Sequence, residues 1–304
     1  MTDGGQDGRA EKPLQIIVGI ATTGRPGILA ETLQHMATLQ DQPDRVIVSI
    51  AHSNDADANQ IGQLPFPFEI VTSPKGLCEQ RNTVLAAVPS DAIVLFLDDD
   101  FLISDGFVSA TRAVFEEEQD VVMATGTVLA DGILGPGLTH RSGLVALAQA
   151  DNRYAAVRTE VYNAYGCNMA IRMAPVQTHA IRFDQELPLY SWLEDVDFSR
   201  CLAAYGRVVK DSNMQGVHLG TKTGRSPGKR LGYSQVANPI YLIRKGTMSP
   251  SRALRLMGRN MVANLAKTVR PEPWVDRIGR VRGNFLAVSH LLTGRMSPKR
   301  ILEL

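Results

Sequence analysis

"VLFLDDDF", Val94 to Phe101, runs four apolar residues straight into three carboxylates and an aromatic. The apolar part reads as a short buried strand. Three adjacent anions are an unfavourable way to end one, because they repel one another and a buried carboxylate is costly unless it is paired. The carboxyl end of a buried strand is also where open α/β sheets bind ligands. Asp98 and Asp100 project to one side of an extended chain and Asp99 to the other, so the outer pair can share a hard divalent cation. A solvated acidic turn is written with the same letters, and the Asp-x-Asp pair alone does not separate the two.

Working outward, the flanking sequence alternates strands with helices. Apolar, β-branched runs at 14–22, 44–51, 66–73 and 91–97 read as strands. Pro26 suits the first turn of a helix that carries Leu29, Leu33 and Met36 inward, and a second helix spans 75–88. This alternation predicts an α/β domain with a mostly parallel sheet flanked by helices. Thr22–Arg25 follow the first strand and share its carboxyl edge with the acidic run. Further strands are expected at 121–129 and 164–173, then a helix after Leu193 and one more strand. The glycine-rich stretch 216–234 reads as a flexible basic loop. Two amphipathic helices follow. In the second, Trp274, Ile278, Val281, Phe285, Val288 and Leu292 recur at spacings of 4, 3, 4, 3 and 4, forming one apolar stripe.

The 304 residues suit one large domain or a domain with an appendage, and 44% hydrophobic content provides an ordinary core. No apolar run approaches the roughly 20 residues that span a bilayer. Residues 1–13 read as a disordered tail, not a signal peptide. Cys78, Cys167 and Cys201 are scattered singly, with no zinc or disulfide spacing, so a cytoplasmic setting is expected. The net charge of +1 conceals an asymmetry. Residues 1–221 hold 15 Lys/Arg and 28 Asp/Glu, whereas residues 222–304 hold 17 Lys/Arg and 3 Asp/Glu. The change at 222 separates a domain over 14–221 from a basic helical segment over 222–304. That segment can face phosphates, an anionic membrane or the acidic part of its own chain; no nucleic-acid partner is expected.

Several side chains converge on the same chemistry. Leu77, Arg81, Val84 and Val88 recur at 4, 3 and 4, so Arg81 lies on an inward stripe. A buried guanidinium needs an anion, from the acidic strand end or from a ligand phosphate, unless it snorkels outward. Asn82 beside it can bond a base or ribose. Asp195 heads the inward face of its helix, where the N-terminus favours an anion and a general base can remain ionised. Trp192, just before it, is either core or a platform for a sugar ring. His218 is a candidate third metal ligand. Lys222, Arg225, Lys229 and Arg230 lie in a loop with glycines that can fold over a diphosphate.

Taken in order, "IIVGIATTGRPGILAETL", "PKGLCEQRN", "VLFLDDD", "GCNMAIR", "LEDVDF" and "VHLG" resemble the family 2 glycosyltransferases, with the nucleotide-binding fold called GT-A. The resemblance spans roughly 14–220. It implies a nucleoside-diphosphate-sugar donor, a divalent cation (Mn2+ or Mg2+) and inversion at the anomeric carbon by direct displacement. It also implies an acceptor hydroxyl on a glycan or lipid-linked saccharide, as in bacterial surface-polysaccharide synthesis at the inner face of the membrane. By that likeness Asp98 and Asp100 are metal ligands with His218 the late third, and Asp98 and Asp99 lie against the donor. Thr22, Thr23 and Arg25 lie under the nucleotide, and Lys75, Arg81 and Asn82 on the donor-side helix. Asp195 is the base, Glu194 helps orient the acceptor, and Gly166 and Asn168, with Trp192, border the sugar. Arg225 and Lys229 cover the diphosphate. One departure is the turn "AHSNDAD", where His52 stands in the expected acidic region and Asp55 substitutes by a register shift. Two other readings remain at this stage: a catalytically silent sugar-nucleotide-binding or membrane assembly protein, and a nucleotidyltransferase using the same acidic pair.

Overall fold

A computed structural model describes residues 13–150, 155–223 and 227–304. The expected N-terminal tail, apart from Pro13, and Arg225 lie outside the described residues. Among the described residues, nine strands form one sheet: β1 (Ile16–Thr22), β2 (Arg45–Ile50), β3 (Phe68–Thr72), β4 (Ile93–Asp98), β5 (Phe101–Ile103), β6 (Val121–Asp131), β7 (Arg158–Glu160), β8 (Asn168–Arg172) and β9 (Arg207–His218). Their order is β3-β2-β1-β4-β8-β6-β9-β5, with β7 beside β9. The β-branched runs build the four parallel strands β3-β2-β1-β4, and β1 lies against β4 with Ala21 opposite Asp98. Past β4 the sheet becomes mixed. Antiparallel β8 sets Asn168 opposite Leu97, and antiparallel β9 sets His218 opposite Phe101. Residues far apart in sequence thereby meet at the carboxyl end of β4.

Ten helices flank the sheet among the described residues: α1 (Pro26–Thr38), α2 (Ala58–Ile61), α3 (Leu77–Ala87), α4 (Phe107–Glu117), α5 (His140–Leu147), α6 (Met173–Thr178), α7 (Glu194–Leu202), α8 (Gly228–Lys245), α9 (Pro250–Ala266) and α10 (Arg277–Leu292). Leu29, Leu33 and Met36 of α1, with Phe107, Val114 and Phe115 of α4, fill the core on one sheet face. Val84 and Leu85 of α3, Met173 of α6 and Phe198 of α7 fill it on the other. The inward face of α7 ends at Leu202, and Tyr205 lies beyond the helix end, exposed and stacked on His179 at 3.8 Å.

The basic segment is bound into this framework through α8. Leu242 joins the second core, Lys245 Nζ lies 2.6 Å from both Asp184 and Asp197, and Asn238 donates to the Trp192 carbonyl at 2.7 Å. The composition boundary at 222 is therefore not a gap in packing. The expected loop also ends early, since helix begins at Gly228. Gly228 and Gly232 on α8, with Gly283 on α10, let the two helices lie almost in backbone contact. A Cβ on Gly232 would stand 2.1 Å from the Arg280 carbonyl oxygen, and one on Gly283 2.1 Å from that of Lys229. The expected apolar stripe of α10 is therefore split: Ile278, Phe285 and Leu292 are exposed, whereas Val288 packs on the core shared with α8.

Candidate active site

The acidic run ends β4 at the sheet's carboxyl edge, and each of its carboxylates is held differently. Asp99 is fully buried; it accepts from the Thr22 hydroxyl at 2.6 Å and pairs with Arg25 at 2.7 Å. Burial pushes its pKa up to about 7 despite that cation. Asp100 accepts the Thr221 amide at 2.8 Å and lies 3.4 Å from His218 Nε2. Burial opposes its ionisation, but the hydrogen bond and charge of His218 hold it well below the usual carboxylate range. The Asp98 side chain is about a third exposed, and its Oδ2 lies 3.7 Å from the same His218 nitrogen.

Asp98, Asp100 and His218 each bring one ligand atom, all within 4.8 Å of one another. Two carboxylate oxygens and an imidazole nitrogen suit a divalent ion such as Mn2+, and the exposure of Asp98 leaves room for a further ligand. The other ring nitrogen of His218, Nδ1, lies 2.9 Å from Asp131 Oδ1, and the Tyr165 hydroxyl donates to Asp131 Oδ2 at 2.9 Å. A carboxylate behind a histidine fixes the ring so that the opposite nitrogen faces the metal. Burial alone would lower the His218 pKa, but its bonds to Asp100 and Asp131 raise it to about 10. A cation bound there competes with the Nε2 proton.

Beside this cluster, α7 starts from a tightly wound loop. Leu189, Ser191 and Leu193 all have positive φ, at 62°, 53° and 77°. Each such residue costs of order 1 kcal/mol or more, so the loop must be held from outside. Leu77 N–H donates to the Leu189 carbonyl, and Asn238 holds Trp192. The result fixes Glu194 and Asp195 in different environments. Glu194 is buried, with Oε1 2.6 Å from Arg81 Nη1. Burial and the Asp195 charge raise its pKa to about 8 against the pull of Arg81. Arg81 also donates to the Gly166 carbonyl at 2.8 Å, lies 3.5 Å from Asp98, and packs against the Phe96 and Phe183 rings, which themselves meet edge to face. Of its alternatives, it takes the protein's own carboxylates. Asp195 accepts from the Gly166 and Val196 amides at 3.1 and 2.8 Å, and burial raises its pKa against those two bonds.

Two cavities meet at Asp98. One, of 320 Å³, is lined by Thr22, Thr23, Arg25, Lys75, Gln80 and Arg230, among others. The other, of 370 Å³, is lined by Arg81, Tyr165, Gly166, Trp192, Glu194, Asp195 and His218, with Leu256 of α9. Asp98 and Tyr190 line both. One compartment is basic and suits an anion; the other offers a carboxylate and aromatic faces. A profile of the family described as Glycosyl transferase family 2 matches residues 17–179, more than half of the chain. The chain belongs to glycosyl transferase family 2.

Solved structures show the same fold across nearly the whole of this family 2 chain. A mannosyltransferase from Pyrobaculum calidifontis, determined with GDP-Man and Mn2+, has 14% identity and a TM-score of 0.55, covering 93% of this chain and 80% of its own. The S. aureus protein TarS (residues 1–349) has 15% identity and a TM-score of 0.53, covering 93% and 83%. Its complex with UDP-GlcNAc has 12% identity and a TM-score of 0.52, covering 93% and 84%. A search of curated protein sequences found no match.

Four sequence-based expectations for this family 2 site need correction. Asp55 is buried and does not line the nucleotide cavity, because Gly24, Ala51 and His52 amides take both its oxygens; it ties the β1 and β2 loops together. Asn82 points away from the site and exchanges two hydrogen bonds with the Phe183 backbone. Asn168 lies fully buried beneath the site, with its oxygen taken by Thr125 and Gly126. Lys229 is exposed outside the cavity, and Arg230, one residue on, lines it instead. Sequence reading also missed Asp131, Tyr165, Tyr190 and Gln80. Gln80 donates to the Thr22 and Ser49 carbonyls and so joins the ends of β1 and β2. Only Asp131 carried a signal, as a lone acid in a glycine-rich loop, and that signal was too common to use.

Proposed function

We propose that the protein is a metal-assisted, inverting glycosyltransferase that moves a sugar from a nucleoside diphosphate to a hydroxyl on a saccharide, free or lipid-linked. The observation that carries this reading is the pair of cavities joined at Asp98, one basic and the other carrying Asp195. In it, Arg25, Lys75 and Arg230 hold the diphosphate, with the sugar directed past Asp98 into the second cavity. Asp98, Asp100 and His218 hold a divalent cation, which when bound stabilises negative charge on the departing diphosphate. Asp131 keeps the His218 ring oriented.

Asp195 is the base. It is the partly exposed member of the acid pair, and the Gly166 and Val196 amides fix its carboxylate. It takes the proton of the acceptor hydroxyl as that oxygen bonds to the anomeric carbon and the carbon–diphosphate bond breaks on the opposite side. The attack inverts that carbon. Glu194 is unavailable for the task because Arg81 occupies it; it positions Gly166 and α7 instead. Trp192 and Tyr190 offer flat surfaces for the acceptor sugar. A nucleoside diphosphate leaves without a protein acid, so one carboxylate suffices where a glycosidase uses two.

The test is sugar transfer from labelled nucleotide sugars to saccharide acceptors. Asp195→Asn should lose at least about 100-fold in rate, the usual range for a general base, while donor affinity persists. Transfer at the normal rate by that variant, or release of pyrophosphate in place of a nucleoside diphosphate, would count decisively against this reading.

A further inference from the structure

The packing of α10 leaves an unexpected surface. Its contact with α8 is made by Gly283, Asn284 and Ala287, with Leu286 and Val288 packed on the same core, whereas Ile278, Phe285 and Leu292 point the other way. Phe285 is 61% and Leu292 82% exposed. At the end of α9, Val262 and Val269 are 68% and 84% exposed. Arg277 draws the two regions together: it donates to Asn264 of α9 at 3.0 Å and pairs with Glu272 in the intervening turn at 2.8 Å. The α9–α10 turn is therefore one ordered tip carrying Leu265, Val269, Trp274 and Ile278. Large exposed apolar groups gathered in this way mark a contact surface.

The charge around that surface selects the occupant. Residues 222–304 carry 17 Lys/Arg and 3 Asp/Glu. Lys245 and Lys299 are spent on acids of the catalytic domain, and Lys267 and Arg277 on Glu272. Arg255, Arg259, Arg270 and Arg282 are exposed and pair with no acid among the described residues. A second copy of this surface would bring like charges together, whereas an anionic bilayer offers apolar depth and negative headgroups at once. No helix among the described residues is long and apolar enough to cross a membrane, so the contact is interfacial.

We propose that the α9–α10 tip and the outer face of α10 dock into the headgroup layer of an anionic membrane. Apolar side chains enter the bilayer surface and the arginines pair with lipid phosphates. Leu256 links this surface to the chemistry, since α9 lines the second cavity through it. Docking therefore brings the acceptor compartment towards the lipid. The docking itself stands apart from the proposed transfer reaction; only the advantage to a lipid-linked acceptor rests on that reading.

The experiment is vesicle co-sedimentation of the full chain without any substrate, so its outcome is independent of catalysis. Vesicles of phosphatidylcholine with 30% phosphatidylglycerol are compared with pure phosphatidylcholine, for the wild type and for V269E/F285E. Both replaced residues are exposed and outside the site, so the melting temperature should not move. Wild type should bind the anionic vesicles at least about tenfold more tightly than neutral ones, and 0.5 M salt should weaken that binding. V269E/F285E should lose about tenfold or more. Equal binding to both vesicle types, equal binding by wild type and variant, or no sedimentation would overturn the proposal. A soluble oligomer that V269E/F285E dissociates, with no vesicle binding, would assign the face to a second copy instead.

Discussion

Replacing Arg81 tests how the site is held together. Its guanidinium is almost wholly buried, 2.6 Å from Glu194, hydrogen-bonded to Gly166 and 3.5 Å from Asp98. Arg81→Met retains most of the apolar volume against Phe96 and Phe183 but strands Glu194. Breaking a buried pair from one side costs about 3–5 kcal/mol. At about 2–4 °C per kcal/mol for chains of this order, the melting temperature falls by roughly 6–20 °C. Glu194→Gln keeps the shape of the acid and leaves Asp98 to Arg81, so its loss should be smaller, about 1–3 kcal/mol. In the double variant neither charge is stranded, and the combined loss should fall short of the sum by about 2 kcal/mol or more. Urea unfolding of the four proteins, followed by circular dichroism and fluorescence together, gives the cycle directly. Losses that add to within about 0.5 kcal/mol would refute the pairing as the element that fixes α7.

Other expectations follow from single contacts. Asp131→Asn should weaken Mn2+ binding about 10–100-fold by calorimetry, because Asp131 orients His218; unchanged affinity would remove it from the metal site. Trp192→Ala should lower kcat/KM for the acceptor about tenfold or more, about 1.4 kcal/mol, with the donor Kd unchanged; a change in the donor alone would reassign the residue. For Asp184, burial alone would raise the pKa, but hydrogen bonds from Lys245, the Glu186 amide and Tyr241 hold it below its ordinary value. Its stabilisation is complete above the unfolded value near 3.9 and is lost as pH falls through the lower folded value. Asp184→Asn should therefore flatten the acid limb of the stability–pH curve below about pH 4. An unchanged limb would show that α8 is not held through this acid.

The parallel half of the sheet was legible because β-branched runs and helical stripes of spacing 3 and 4 each point to one structure. Arg81 was found for the same reason: its position in the stripe points inward, and its pairing with Glu194 decides against the snorkelling alternative. Asn82, one residue on, turns about 100° round the helix and meets Phe183, a partner 101 residues away that no local pattern announces. Asn168 was placed at the sugar by family likeness alone, and the likeness does not show that Thr125 and Gly126 take its side-chain oxygen beneath the site. The pairing of Asp131 with His218 arises from the alignment of β6 with β9, which is long-range information. The glycines at 228 and 232 resembled loop glycines. Their role as the contact line of two close helices exists only once α10 is beside them.

If Asp98, Asp100 and His218 hold the cation that lets the adjoining cavity bind a nucleotide sugar, thermal unfolding of the wild type and Asp100→Ala with UDP-, GDP- and dTDP-sugars, with and without Mn2+, will show it. At least one donor should stabilise the wild type only when Mn2+ is present, by about 2.7 kcal/mol at a hundredfold excess over Kd. Asp100→Ala should show no such metal-dependent gain. Stabilisation by no donor, or the same gain in Asp100→Ala as in the wild type, would contradict it.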